Sequence, residues 1–317
     1  MEWSESVRVG GRFFASLILE LCPVLPNSWL PKSLLPTFNP PAPLLVIAAM
    51  ASTQLGSTLA KSLFGQVGPL GMVLLRVGLS AVVLVAWCRP RWRGHRPADY
   101  RLLVVFGLSL AVMNALFYGA IARIPIGVAV ALEFSGPLAV ALLHSRRWLD
   151  GLWVALAAVG IVLLSPLNTP ALDSWGVVMA LLAGVAWGSY IVLSARMGQA
   201  FRGGEGLALS MAVGALLLLP VGIAAEGRLL LSPHILLLGL GVAMLASTLP
   251  YSLEMTALRR MPVNVFGVLM SLEPAIAAVI SFFWLGETLS LTMIGAIGLV
   301  TLAAAGVSLS QPATKAV

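Results

Sequence analysis

Charged residues are scarce in this sequence. They make up 10% of its 317 residues, while 59% are hydrophobic and the mean hydropathy is +0.99. A soluble domain carries about 25% charged residues, so the scarcity predicts a polytopic membrane protein. The net charge of +7 would suggest nucleic-acid binding in a soluble chain. Here the basic residues stand between apolar runs, where they set membrane topology instead.

Residues for metal binding and catalysis are also scarce. Two cysteines, Cys22 and Cys88, are too few for a disulfide framework, and the three histidines fall between apolar runs. Without an HExxH pattern, a zinc protease or a haem bundle lacks its ligands. The nucleotide-binding pattern GxxxxGK[ST] is missing too, so ATP hydrolysis by this chain is not the expected driving force. We therefore expect no metal, no cofactor and no enzymatic activity.

Long apolar runs, by contrast, fill the chain. A helix needs about 20 apolar residues to span a membrane, and ten segments come close to that length. They are 44–63, 70–87, 102–121, 126–143, 149–165, 175–195, 206–224, 234–255, 264–285 and 289–309. Their connections are short and rich in Gly, Pro and Arg, which leaves no room for a soluble domain. The sequence therefore predicts an all-α membrane protein with ten transmembrane helices.

The two ends of the chain lie outside this pattern. The apolar stretch 13–25 is interrupted by Glu20, is too short to span a membrane and lacks the cleavage site of a signal peptide. Five prolines between positions 31 and 43 then favour an extended backbone. We expect residues 1–42 to form a mobile extension and residues 310–317 to form a cytoplasmic tail.

Lys and Arg residues are distributed unevenly between the two sides of the predicted helices. With the N-terminus in the cytoplasm, 15 of the 19 fall on cytoplasmic segments, whereas Lys61, Arg123 and Arg228 fall on the opposite side. Because basic residues collect on the cytoplasmic side, both termini are predicted to be cytoplasmic.

The chain also contains an internal repeat at an offset of 137 positions. Residues 116–141 and 253–278 align without gaps, and the matches include an arginine and two prolines in fixed register. The matching pairs are Leu116 with Leu253, Ala120 with Ala257, Arg123 with Arg260, Pro125 with Pro262, Leu132 with Leu269, and Pro137 with Pro274. We predict two five-helix repeats, at 43–165 and 173–309.

An odd number of helices gives the two repeats opposite orientations in the membrane. Accordingly, Arg123 falls on an outer connection and its counterpart Arg260 on an inner one. Inverted repeats are typical of secondary transporters, which bind substrate near the midplane between the repeats. We expect the first four helices of each repeat to surround the pathway and the fifth to lie at the periphery.

Few ionisable residues fall within the predicted helices. A charge at membrane depth costs at least about 2.5 kcal/mol, so each one marks a candidate site. Glu133 and Glu273 lie near the middle of the fourth and ninth segments, and Arg76 lies in the second. Glu254 and Lys61 lie nearer to segment ends, where extension of the side chain to the membrane interface is an alternative to a role in transport.

Two prolines coincide with the glutamates. Pro137 cannot donate a hydrogen bond to the carbonyl of Glu133, and Pro274 cannot donate to the residue four positions before it, so both helices should kink at mid-membrane. We interpret the prolines as hinges, and Glu133, Glu273 and Glu254 as proton-coupling groups. The alternative is a plain hinge, with protonated glutamates hydrogen-bonded between helices.

The polar residues of the helices suit a small zwitterionic substrate. Arg76 needs an anion, which is either a substrate carboxylate or one of the glutamates, while an ammonium group would lie opposite Glu133 or Glu273. Carboxyl groups at low dielectric exchange protons near neutral pH, which makes proton-coupled transport plausible.

Neutral polar residues extend this candidate site. Asn114 is the best further ligand, because an amide is costly to leave unpaired. Gln54, Ser57 and Tyr190 are further polar residues inside apolar segments, and Tyr118 and Tyr251 are also candidates for substrate binding. For the tyrosines and Ser57 we favour hydrogen bonds between helices.

At these residues the sequence resembles the drug/metabolite transporter superfamily, in its EamA-type branch of ten-helix carriers. The specific stretches are VALEF at 130–134, GPLAVAL at 136–142 and PYSLEM at 250–255. The turn at 286–287 is general to the superfamily. The likeness runs over residues 44–309 and leaves out the N-terminal extension.

The resemblance implies a bacterial inner-membrane carrier that exports small neutral amino acids such as threonine and homoserine, with proton antiport as the usual mechanism. Its partners would be the substrate, protons and lipid, in a monomer or a homodimer. One alternative is a carrier of the same fold for a purine, an aromatic amino acid or a drug-like cation, which would have less use for Arg76. An intramembrane enzyme and a scaffold or receptor without transport are the others.

Overall fold

The computed structural model describes residues 40–143, 149–163, 172–201, 204–258, 260–261, 266 and 269–310. Most of the predicted extension (1–39), most of the predicted tail (311–317) and Pro262 of the internal repeat lie outside the described residues. Within these ranges the secondary structure is helical and includes no β-strand.

Every predicted apolar segment contains helix. The helices are α1 (Ala42–Ser62), α2 (Pro69–Cys88), α3 (Pro97–Ile121), α4 (Ile126–Glu133), α5 (Ser135–Leu143), α6 (Leu149–Leu163), α7 (Ser174–Ala200), α8 (Glu205–Glu226), α9 (Pro233–Ala243), α10 (Leu249–Leu258), α11 (Glu273–Leu285) and α12 (Leu291–Ser310). A 3₁₀ turn (Gly227–Leu231) follows α8, and a π-helical segment (Met244–Thr248) joins α9 to α10.

Six of the helical stretches are long and apolar enough to cross a membrane. They are Ala42–Ser62, Pro69–Cys88, Pro97–Ile121, Ser174–Ser194, Glu205–Leu231 and Pro233–Glu254. The remaining apolar helices are shorter. Large apolar side chains such as Phe283, Leu291 and Leu237 are exposed on the outside of the bundle. Such a surface suits contact with lipid, and the chain is a multi-pass membrane protein.

Local sequence explains where several helices begin and end. Pro69, Pro97 and Pro274 lie in the first turn of their helices, where the missing N–H group has no partner to lose. Asp173 precedes α7 and accepts a hydrogen bond from the backbone N–H of Gly176. At the other end of a helix, Gly286 adopts the left-handed conformation that terminates α11.

The helices pack in pairs that connect the two halves of the chain. α2 packs against α8, α6 against α12, and α4 against α11. α3 packs against α7 and α8, while α1 packs against α10 and α11, and α9 packs against α2. α7 also packs against α4 and α5. The two halves therefore interleave instead of forming separate bundles.

The predicted kinks take the form of breaks. The fourth segment, predicted as one kinked helix, is divided at Phe134 into α4 and α5. The division lies three residues before Pro137, because the carbonyl that loses its donor is that of Glu133. In the ninth segment a turn at 271–272 precedes α11, so Pro274 lies at the start of a new helix and not inside a continuous one.

Glycines allow close backbone contact beside both the break and the π-helical segment. A Cβ atom added to Gly136 in α5 would collide with the carbonyl oxygen of Gly184 in α7. A Cβ atom added to Gly56 in α1 would lie 2.6 Å from the backbone nitrogen of Ala246. Both irregular stretches are therefore in direct backbone contact with a neighbouring helix.

Candidate functional site

The helices form a partly open cavity of about 110 Å³. It is lined by Thr53, Gln54, Ser57, Arg76, Met113, Asn114, Phe117, Val130, Glu133, Trp187, Tyr190, Ala246, Tyr251, Glu254, Met270 and Glu273. Among the described residues, α6 and α12 supply none of the lining, as predicted for the fifth helix of each repeat. α8 supplies none either, which differs from the prediction, because α2 and α3 occupy the side of the cavity on which α8 packs.

Arg76 is buried at the cavity with no carboxylate partner. Its Nε donates to Oγ of Ser247 at 2.9 Å, and its Nη2 donates to the carbonyl of Ala246 at 2.8 Å. The guanidinium carbon lies 5.2 Å from the centre of the Tyr118 ring, a cation–π distance. In the described ranges no carboxylate lies within ion-pair distance of Arg76. A guanidinium group has five N–H donors, so donors remain for an anionic ligand.

The hydrogen bond from Arg76 replaces one that the helix cannot make. Pro250 lacks the N–H that an α-helix would direct to the carbonyl of Ala246. The backbone widens there into the π-helical segment, a device that is frequent at functional sites. The side chain of Arg76 supplies a donor to the same carbonyl. The π-helical segment therefore holds the guanidinium group of Arg76 in position at the cavity.

Two serines support the same irregularity from α1 and α2. The hydroxyl of Ser52 donates to the carbonyl of Leu245 at 2.7 Å, and that of Ser80 donates to the carbonyl of Ala243 at 3.1 Å. These bonds satisfy carbonyl groups of the widened backbone that would otherwise be buried with fewer partners. The π-helical segment is thus part of the packed core and not a frayed stretch.

Glu133 brings a carboxyl group to the cavity at the last residue of α4. It is 8% exposed, and in the described part of the chain no side chain forms a hydrogen bond or an ion pair with it. Gly184 packs against its backbone carbonyl, since an added Cβ would lie 2.7 Å from that oxygen. The C-terminal end of a helix carries partial negative charge. The carboxyl group and the end of α4 together suit a cationic ligand group.

Glu273 lies at the first residue of α11, where the helix carries partial positive charge. Its Oε1 accepts a hydrogen bond from Nε2 of Gln54 at 3.0 Å. Its Oε2 and the Oε1 of Gln54 are buried, and neither has a hydrogen-bond partner among the described residues. Glu133 and Glu273 therefore differ, because Glu273 is hydrogen-bonded to a neighbouring helix whereas Glu133 has no side-chain partner among the described residues.

The other predicted ligands fall into two groups. Tyr251 and Glu254 line the cavity from α10, and Asn114 lines it from α3. The Nδ2 of Asn114 donates to the carbonyl of Leu110 at 2.8 Å, so its Oδ1 and its second N–H remain for a ligand. Tyr118 does not line the cavity; it lies behind Arg76 and contacts it through the face of its ring.

Apolar and aromatic residues complete the lining, and of these sequence analysis identified Tyr190 alone, as a polar residue within an apolar segment. Met113 and Phe117 lie on the same face of α3 as Asn114. Their helical spacing from Asn114 could therefore have predicted that they line the cavity. Trp187 and Tyr190 come from α7, where the ring of Tyr190 stacks on that of Phe106 with centroids 4.9 Å apart. In a wholly apolar helix nothing in the pattern distinguishes a face toward the cavity from a face toward lipid.

A second charged cluster joins the end of α1 to two connections. Lys61 forms an ion pair with Glu287 and donates to the carbonyl of Ile124 at 2.9 Å. The other carboxylate oxygen of Glu287 accepts from the backbone N–H of Ile126 at 2.9 Å. We call these four residues the end clamp. Lys61 thus has a partner within the protein, whereas the sequence left open whether it extends to the interface.

Comparison with known proteins identifies related transporters. Residues 174–309 match the EamA-like transporter family. The threonine/homoserine exporter RhtA of Escherichia coli strain K12 is 45% identical over 269 residues, which cover 84% of this chain and 90% of that protein. RhtA of Salmonella typhimurium strain LT2 is 47% identical over 250 residues, covering 78% and 84%.

A solved crystal structure shares the fold. It matches with a TM-score of 0.55 and 22% sequence identity, over 84% of this chain and 97% of that chain. At this identity the match supports the helical architecture alone.

Proposed function

Because the chain belongs to the EamA-like transporter family, we propose that it exports small neutral amino acids, threonine and homoserine among them, across a bacterial inner membrane. The observation that carries this proposal is a cavity in which a buried arginine and buried glutamates form no ion pairs with one another in the described part of the chain. Relatives at 45% and 47% identity are exporters of these two amino acids. The protein is a transporter and not an enzyme.

The charges of the cavity match the two ends of an amino acid. A substrate carboxylate would bind the remaining N–H donors of Arg76, with Tyr118 and Ser247 holding the guanidinium in position. The ammonium group would bind the unpaired carboxylate of Glu133 at the end of α4. Asn114 and Tyr251, which also line the cavity, offer further hydrogen bonds to the bound substrate.

The size of the cavity favours a small substrate over the alternatives. Drug-sized ligands occupy pockets of about 300–1,000 Å³, and a cavity of about 150 Å³ is known to hold a benzene ring. At about 110 Å³ the present cavity suits a four-carbon amino acid. A purine or an aromatic amino acid would need the walls formed by Trp187 and Phe117 to move apart.

We interpret the fold as two inverted repeats, at 43–165 and 173–309, and the helix breaks support this. The break at Phe134 and the turn that begins at Ser271 are 137 positions apart, which is the offset of the internal repeat. The packing partners also correspond, since α1 with α10 is the counterpart of α7 with α3. Likewise α1 with α11 is the counterpart of α7 with α5.

The cavity follows the same correspondence. Four pairs of lining residues lie 137 positions apart: Thr53 with Tyr190, Asn114 with Tyr251, Phe117 with Glu254, and Glu133 with Met270. A site formed by equivalent positions of two inverted repeats lies on their pseudo-twofold axis, near the midplane of the membrane. The location favours alternating access, with Pro137 and Pro274 at the hinges of the broken helices.

We expect proton antiport because protons and the ammonium group of the substrate compete for the same carboxylates. A proton on Glu133 removes the negative charge that an ammonium group requires, so proton and substrate exclude each other from the site. Glu273 and Glu254 share the cavity and extend the path for protons. With both termini in the cytoplasm, the end clamp would lie on the outer side of the membrane.

Transport by purified protein in liposomes tests this function. Uptake of radiolabelled threonine and homoserine should follow an imposed pH gradient, and Glu133→Gln should abolish the dependence on the gradient. Glu205→Gln, a glutamate of α8 outside the cavity, is the matched control and should behave as the parent protein.

Two other results would change the proposal in different ways. Uptake that ignores the pH gradient would retain the amino-acid carrier and discard the proton role of the glutamates. Folded protein that takes up neither amino acid would favour a carrier for another solute, and a broad substrate screen would follow.

A further inference from the structure

Three polar atoms beside the cavity have no partner, and they form one group. Gln54 Oε1, Ser57 Oγ and Glu273 Oε2 are all buried and make no hydrogen bond within the described part of the chain. Gln54 and Ser57 are three residues apart on one face of α1, and the bond from Gln54 to Glu273 brings the third atom beside them. All three residues line the cavity.

The hydroxyl of Ser57 is unusual for a helical serine. A serine within a helix commonly donates to the carbonyl four residues before it. Ser189 and Ser252 do so in this protein, with bonds to the carbonyls of Val185 and Thr248. Ser57 makes no such bond, although its side chain is fully buried. Its hydroxyl therefore remains available to a ligand in the cavity.

Lack of a partner does not by itself mark a binding site. Thr58, Ser210 and Thr301 also carry buried hydroxyl oxygens without a partner in the described ranges, but none of these residues lines the cavity. What distinguishes the group of Gln54, Ser57 and Glu273 is that one donor and two acceptors lie at the same cavity. A buried polar group left without a partner loses its solvation, so a ligand that satisfies the donor and one of the acceptors at once gains strongly.

We propose that Gln54, Ser57 and Glu273 form a subsite for the side-chain hydroxyl of the substrate. A hydroxyl group donates one hydrogen bond and accepts others. It would accept from the hydroxyl of Ser57 and donate to Gln54 Oε1 or to Glu273 Oε2. This inference rests on the proposed function, in which Arg76 and Glu133 hold the carboxylate and the ammonium group.

The subsite would give the carrier its preference among small amino acids. A site built to bond a hydroxyl group rejects an analogue that lacks it, because the polar groups of the site are then left unpaired. Threonine and homoserine share one such analogue, 2-aminobutyrate, which has the same four-carbon chain without a hydroxyl. Size alone cannot make this distinction, since the analogue is the smaller molecule.

The test compares threonine with 2-aminobutyrate in liposomes containing the full-length protein. We expect the parent protein to prefer threonine by about tenfold or more. Ser57→Ala should lower threonine transport and reduce the preference to about twofold. Thr58→Val is the matched control, because Thr58 is equally buried and also unpartnered in the described part of the chain but lies outside the cavity. It should retain the preference of the parent protein.

A second measurement covers the case in which Ser57→Ala fails to fold. Ser57→Cys keeps the volume and replaces the hydroxyl by a weak donor, and ligand-induced thermal stabilisation in detergent reports binding without transport. Stabilisation of this variant should be similar for threonine and 2-aminobutyrate. An unchanged preference in the Ser57 variants, with threonine still transported, would overturn the subsite and leave the proposed function intact. Loss of threonine transport in the folded parent protein would instead refute the proposed function.

Discussion

Lys61 and Arg76 are both cations inside the helical bundle, but they are satisfied in different ways. Lys61 forms an ion pair with Glu287, and that carboxylate also binds the backbone at the start of α4. Arg76 binds a serine, a backbone carbonyl and the face of a tyrosine, with no carboxylate in ion-pair distance among the described residues. Three glutamates line the cavity, but none of them forms an ion pair with Arg76 in the described structure.

The two cations therefore differ in whether their charge is available to a ligand. An ion pair that is complete within the protein can join chain segments, but it has nothing left to offer a ligand. A buried charge without a counter-ion is costly, and the cost is recovered when a ligand of opposite charge binds. The end clamp therefore holds helices together, while the proposed function assigns the unpaired charges of the cavity to a substrate that carries both charges.

Removing the unpaired cation should have the largest effect. Arg76→Ala should lower threonine transport by about 30-fold or more, because loss of one partner of a buried charge pair costs at least about 2 kcal/mol. Arg76→Lys should restore transport only in part, since lysine cannot reproduce the planar fork of donors. Initial rates in liposomes measure both variants, and thermal unfolding in detergent checks that they are folded.

Arg123→Ala is the control for this prediction. Arg123 lies 3.6 Å from Asp173 in an exposed ion pair, and such pairs contribute little. Transport by this variant should remain close to that of the parent protein. If Arg76→Ala retained transport while Glu133→Gln abolished it, the binding of a carboxylate by Arg76 would be wrong and a cationic substrate would be favoured.

The backbone beside the cavity should be the next most sensitive feature. Gly136→Ala would force α5 and α7 apart at the carbonyl of Gly184, and we expect it to destabilise the protein by about 1–3 kcal/mol. Gly298→Ala in α12, where an added Cβ meets no atom within 4 Å, should be neutral or slightly stabilising. Thermal unfolding in detergent measures both. Equal effects of the two substitutions would contradict the close packing at the break.

The end clamp should show the smallest effect. Its charged side chains are partly exposed, with 20% of Lys61 and 13% of Glu287 accessible, so the coupling should be about 1 kcal/mol or less. A double-mutant cycle with Lys61→Met and Glu287→Gln measures it through the stability of the four proteins. We expect transport to fall only a few-fold in the single variants. Strictly additive effects on stability would mean that the pair contributes nothing.

Local sequence was sufficient to predict the all-helical architecture and to select the charged residues of the candidate cavity. Apolar length indicated the segments, and α1 begins and ends close to the predicted bounds. Rarity of charge selected Arg76, Glu133, Glu254 and Glu273, all of which line one cavity, and also Lys61, which does not line it. These patterns are informative because a membrane imposes a strict length and a high cost for charge on every segment.

Contacts between distant parts of the chain were not predictable in the same way. Pro250 removes a backbone hydrogen bond in the eighth segment, and the donor that replaces it, Arg76, is 170 positions away from Ala246. The partner of Lys61 is 226 positions away. The break at Phe134 was displaced from Pro137 because the weakness lies at the acceptor and not at the proline. These contacts depend on which helices pack together, and a local sequence pattern does not contain that information.

The π-helical segment also restricts how the length of this chain can vary. A π-turn holds one residue more than an α-turn, so it rotates the following helix by about 100° relative to an uninterrupted one. Tyr251 and Glu254, which follow the segment, face the cavity in that rotated register. A deletion of one codon within 244–248 would rotate the following helix by about 100° and point these side chains away from the cavity. Insertions and deletions within 244–248 should therefore abolish transport, whereas those in the connections between helices should be tolerated.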